Sequence, residues 1–259
     1  MRKIFLLIVG CFLGGCGSAY TTPGGAADFS RLGLTPEAKA KLTDSSVQTL
    51  LDKKPLVTFP ATLAIVRVQA QNYDSYTYHR YLPARAPSGA YSVITIRDIE
   101  TDEDFDVFSR LTQVNGVVPL KRILLQDQLN SDLELRNAAA KLHANLLLYY
   151  TLDTAFSSER RVEPLSVITL GLAPNKVEKV TCTASSVLMD VNNGYIYSVC
   201  EATASDDKLT NDWGSEQAID DARRKAEREA FTGLLKQFKA EWPVVVATYN
   251  RPMPAASVR

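Results

Sequence analysis

Histidine is nearly absent: the 259 residues hold two, His79 and His143, far apart in the chain. Two isolated histidines do not make a zinc site. His143 falls at the end of a helical pattern, where a donor suits the last carbonyls. Charge of one sign is missing too. Lys+Arg and Asp+Glu are each 29, so the chain lacks the basic footprint of a nucleic-acid binder and the polybasic patch of a peripheral membrane binder. There is no G-x-S-x-G elbow, P-loop or G-x-G-x-x-G. No apolar run approaches the twenty residues a membrane-spanning helix needs. Without a visible nucleophile–base pair, the reading is non-catalytic, with no cofactor and no metal.

Cysteine is scarce but placed with purpose. Of four, Cys11 and Cys16 lie in the first stretch. Arg2 and Lys3 form a positive segment, Ile4 to Leu13 an apolar one, and small residues follow, which is the layout of a signal peptide. Leu13-Gly14-Gly15-Cys16 resembles the lipobox of bacterial lipoproteins. That resemblance implies cleavage between Gly15 and Cys16, a diacylglyceryl group on the Cys16 thiol and acylation of the new amino group. Three acyl chains anchor stably where one is marginal. Gly17, where an Asp would retain the protein in the inner membrane, implies the outer membrane with the domain facing the periplasm. An ordinary signal peptide containing cysteine is the plainer alternative.

The mature chain then divides into a Gly/Ser/Thr/Ala-rich tether (16–34), a short helical segment (35–58), one α/β domain (59–247) and a loose tail (248–259). Strands are expected at 62–69, 91–97, 117–126, 144–154 and 165–172, with Pro119 marking an edge or bulge. Helices are expected at 101–113 and 132–143, each opened by a capping box. A long hairpin follows, about 177–204, turning at Asn192-Asn193-Gly194. A long helix, about 215–242, closes the fold, with Ile219, Ala222, Ala226, Ala230, Leu234 and Phe238 on its core face. The fold class is α/β: a mixed sheet flanked by helices.

Three stretches carry a second resemblance: 135–154 (a helix running into a central strand), 185–199 (a hairpin with D-x-x-x-G at its turn) and 218–238 (a closing helix). They are similar to bacterial outer-membrane lipoproteins with the anticodon-binding-domain-like fold of the TolB N-terminal domain and the curli secretion lipoprotein. The resemblance implies scaffolding, partner binding or export, and supplies no catalytic motif.

Residues 73–91 are rich in tyrosine. Tyr73, Tyr76, Tyr78 and Tyr81, with His79, are the partner-binding candidates, because tyrosine offers rigid amphipathic area at low entropy cost. The alternative is that these tyrosines cover their own sheet. Cys182 and Cys200 fall on small apolar faces of the hairpin strands, beneath the closing helix. A disulfide and two buried thiols both fit. Asp153 and Asp190 read as turn formers, and "DDARRKAERE" (220–229) as a solvated helix face. The face Thr181, Thr183, Ser185 is too polar for a lipid-facing strand. The expectation is a lipid-anchored periplasmic binding or assembly subunit of an envelope complex, in contact with an envelope protein or another copy through the Tyr-rich loop or a sheet edge. A ring-forming export lipoprotein is the alternative, and a periplasmic hydrolase the third.

Overall fold

The computed structural model describes residues 25–27, 43–71, 73, 88–126, 128–160, 176–210 and 216–250. Strands β1 (Ala61–Ala70), β3 (Tyr91–Ile94), β4 (Val114–Pro119), β6 (Leu146–Arg160), β7 (Lys176–Asp190) and β8 (Ile196–Thr210) form a six-stranded mixed sheet in the order β3-β1-β6-β7-β8, with β4 also pairing β1. Two-residue strands β2 (Ser88–Gly89) and β5 (Gln128–Leu129) pair separately. The helices are α1 (Asp44–Leu51), α2 (Asp102–Ser109), α3 (Asp132–Lys141) and α4 (Glu216–Tyr249). The expected strand at 165–172 lies outside the described residues.

β1 and β6 are buried on both faces, hence their continuous apolar runs. Leu63, Ile65, Leu146, Leu148, Leu152, Val180, Cys182 and Ala184 face α4. Ala64, Val66, Val68, Leu147, Tyr149, Val187 and Met189 face α3. α3 begins at a capping box, Ser131 with Glu134. It ends with His143 in the left-handed region (φ 56°). There His143 N–H donates to Ala140 O and Ala144 N–H to Ala139 O, a Schellman closure with histidine where glycine is usual. The expected strand 117–126 is shorter and earlier. It ends at Pro119, which cannot donate to the ladder, and residues 122–124 form a 3-10 turn.

α4 is a 34-residue helix that continues through Pro243, although the sequence pattern stops it at Trp242. An interior proline costs about 3 kcal/mol. The continuation is held by Val245, which is buried, and by Tyr249, whose ring meets Tyr197 edge-on at 4.9 Å. Trp242 Nε1 donates to Thr112 O at 2.8 Å, fixing the helix to the start of β4.

Within the expected tether, residues 25–27 lie against β1. Ala26 bridges Gln69 and Ala27 is buried. β1 pairs β6 only over Leu63–Val66. Beyond that the strands part, and the Gln69 amide spans the gap, donating to Leu152 O and accepting from Leu152 N–H, both at 2.9 Å.

Candidate functional site

The sequence candidates scatter. Gly15, Cys16, Tyr76, Tyr78, His79 and Tyr81 lie outside the described residues. Tyr73 is buried and its hydroxyl accepts from Arg67 Nη2 at 3.1 Å; this tyrosine packs on its own sheet rather than presenting a surface. Cys182 and Cys200 are free buried thiols. Cys182 stands opposite Ala204 and Cys200 opposite Ser186, so the ladder never brings the sulfurs face to face, and no bridge forms. Burial pushes the Cys182 thiol up to about 12 and the Cys200 thiol up to about 11, which keeps both protonated and inert. Asp190 is the turn former it was read to be. It is buried, and it accepts from Leu56 N–H, Asn192 N–H and the Tyr197 hydroxyl.

The stretch read as a solvated helix face is half core. Asp220, Arg223 and Glu227 lie at i, i+3 and i+7 on the stripe α4 turns to the sheet, and all three are buried. Arg223 donates to Asp220 at 2.9 Å, Glu227 at 2.5 Å and Asp98 at 3.3 Å. Arg67, the one charge in β1, meets Asp98 at 3.0 Å, Glu100 at 3.6 Å and Glu227 at 3.8 Å. Tyr150 donates to Glu100 at 2.7 Å and Thr154 to Glu227 at 2.9 Å. Four carboxylates thus face two guanidiniums. Burial pushes the Glu227 carboxyl above its usual range despite Arg223 and Arg67. A cavity of about 30 Å³ lined in part by Arg67, Glu100 and Tyr150 lies against it. Arg228 adds an ion pair to Asp104, which accepts the N–H of Thr101, the cap of α2. Most polar groups of this cluster bond to one another, with Arg67 Nε and Glu100 Oε2 left without a hydrogen-bond partner; the cluster acts as a clamp holding α4 and the 98–104 segment on the sheet.

The surface feature is the free edge of β8. Glu201 N–H donates to the Gln237 side chain at 3.0 Å, not to β7. In an antiparallel ladder such outward groups alternate, so Val199, Glu201, Thr203 and Ser205 all direct N–H and C=O away from the sheet. No strand among the described residues pairs with them. A bulge between Leu188 and Met189 shifts the register. The expected face Ile196–Ser198–Cys200 is therefore broken: Tyr197 turns inward and Ile196 outward. Val199 and Val244 are 57% and 65% exposed. Beside this edge, α4 and the start of β8 enclose a groove of about 260 Å³ lined by Tyr197, Ser198, Glu241, Val244, Thr248 and Tyr249. Glu241 accepts from the Ser198 hydroxyl at 2.5 Å and the Cys200 thiol at 3.4 Å. No cationic group among the described residues pairs with it. Farther along, α4 lies so close that a Cβ on Gly233 would stand 3.1 Å from that of Ala202.

No family model matches the chain, and no curated protein matches it. Solved structures do resemble it in part. A candidate lipoprotein from Caulobacter crescentus CB15 is 16% identical, with 47% of this chain and 84% of that one covered, at a TM-score of 0.25. A Xanthomonas campestris protein of family DUF330 is 11% identical over 73% and 92%, TM-score 0.28. A hypothetical protein from Chlamydia trachomatis is 10% identical over 72% and 98%, TM-score 0.30. The narrower TolB-type grouping gains no support from them. No helix among the described residues is long and apolar enough to cross a membrane.

Proposed function

We propose that this chain is a lipid-anchored, non-catalytic subunit of a bacterial cell-envelope complex. Cys16 carries the anchor, the outer membrane is its site, and the domain works in the periplasm by docking another envelope protein along the β8 edge. The observation that carries the docking is the β8 edge, which no strand among the described residues pairs. Soluble proteins blunt long free edges with charge, proline or cover; β8 does so from Glu201 onward, where Gln237 takes the Glu201 N–H and Asp206, Asp207 and Lys208 follow, whereas its start leaves the outward groups of Val199 beside exposed Val199 and Val244 side chains. Support also comes from the buried charge cluster, whose groups serve to lock the fold. The lipobox resemblance supports the anchor.

The test is made in cells. Labelling with a clickable fatty acid should mark the wild-type chain and not Cys16→Ser. A photocrosslinking residue at Val199 or Val244 should give one adduct of defined mass, and one at Ile123, which is 91% exposed on another element, should give none. Equal labelling of both chains overturns the anchor, and equal adducts at all three positions overturn the edge as contact. A ladder of self-adducts instead favours the ring-forming reading.

A further inference from the structure

We infer that the β8 edge takes an extended strand of the partner protein and that one basic side chain of that strand sits on Glu241. This rests on the docking reading above and names its chemistry. An added strand would pair with the outward N–H and C=O of Val199, and at Glu201 it would displace the Gln237 side chain that takes the N–H there; this is the recurrent mode of sheet-edge recognition. Side chains of such a strand alternate between faces. On the α4 side they enter the groove between Ser198, Val244 and Thr248, with Glu241 on its wall. On the other they lie beside Val199 and the polar open face, where Thr183 and Thr203 bond at 2.9 Å.

Charge decides the identity of the inserted residue. The Glu241 carboxylate is partly buried. One oxygen is held by two neutral donors, Ser198 and Cys200, and no cation among the described residues answers it. Elsewhere the fold pairs several enclosed carboxylates with arginine, as Asp98, Asp104, Asp132 and Glu227 show, while the fully buried Asp190 is instead saturated by three neutral donors, two backbone N–H groups and the Tyr197 hydroxyl. A lysine or arginine reaching Glu241 from an added strand would complete that pattern. An acidic residue there would meet an unpaired like charge, which gives selectivity by exclusion.

The test uses the full mature chain in detergent and three dye-labelled peptides, acetyl-Thr-Val-Lys-Val-Thr-amide and its counterparts with norleucine or glutamate at the centre, followed by fluorescence anisotropy. The lysine peptide should bind about tenfold or more tightly than the norleucine peptide, and the glutamate peptide most weakly. Glu241→Gln should erase the lysine preference over norleucine. If lysine and norleucine peptides bind alike, or Glu241→Gln leaves the preference intact, the basic seat is overturned while edge docking stands. If no peptide binds and cells yield no edge-specific adduct, the docking reading itself has failed. If truncation after Asn250 raises the affinity of all peptides, the groove belongs to the chain's own tail. If the protein self-associates without peptide through Glu241, it belongs to a second copy. Either result overturns the inference.

Discussion

Arg223 and Arg224 are neighbours on α4 with opposite fates, and replacing each by methionine tests the clamp. The Arg223 side chain is fully buried, with carboxylate oxygens at 2.9, 2.5 and 3.3 Å. The Arg224 side chain is 43% exposed and pairs with Asp220 and Asp221. Arg223→Met leaves Asp98, Asp220 and Glu227 facing one another, with Arg67 the remaining buried cation. Removing one member of such a buried set costs about 3–5 kcal/mol, and a surface pair is worth about 1 kcal/mol or less. Urea unfolding followed by circular dichroism reads the difference. With a slope of about 1–3 kcal/mol/M, Arg223→Met should lower the midpoint by about 1–3 M and Arg224→Met by a small fraction of that. Adding Glu227→Gln to Arg223→Met should recover part of the loss, since one orphaned carboxylate is gone. Equal costs for Arg223→Met and Arg224→Met would refute the clamp.

Other expectations follow from single contacts. A thiol reagent should find Cys182 and Cys200 only after denaturation, because both are buried and unbridged; one fast thiol in the native protein, or none in denaturant, contradicts the ladder register. Gly194 has φ 69°, and an added Cβ would stand 3.2 Å from Asp132 Oδ2, so Gly194→Ala should cost about 1–2 kcal/mol in the same urea assay. The Glu227 carboxyl titrates above its ordinary 4.5 in the fold, so the folded chain keeps a proton the unfolded chain has released. This group's contribution to stability is then full below about pH 4.5 and is lost as pH rises through the folded value. Urea midpoints from pH 4.5 upward should show a downward component that Glu227→Gln removes.

The fold was legible where local rules agree with tertiary ones. The capping boxes at Thr101 and Ser131, the Asn-Asn-Gly turn and the Ala222–Ala226–Ala230 stripe each recur as expected. The misses arise where a non-local partner overrides a local rule. Pro243 fails to stop α4 because Val245 is buried beyond it and Tyr249 meets Tyr197 of β8 edge-on. The bulge at Leu188/Met189 flips Ile196 and Tyr197, and nothing in the strand's own alternation marks it. Asp220, Arg223 and Glu227 look like solvated charge until Arg67 and Asp98 are brought beneath them. The available signal was the lone arginine in β1's apolar run together with charges at i, i+3 and i+7. Of the candidate sites, the sheet edge was foreseeable only as a class, because the outward set in β8 depends on the pairing of Glu201 with Gln237.

The central claim is that the β8 edge docks a partner strand through its backbone. Val199→Pro addresses it, since proline on an edge removes an outward N–H that the sheet does not use. The measurement is the yield of the adduct formed in cells from a photocrosslinker at position 244, with Val199 and with Val199→Pro, alongside the urea midpoint of each. The account predicts that the adduct disappears while the midpoint holds. An adduct of undiminished yield in the proline variant would contradict it.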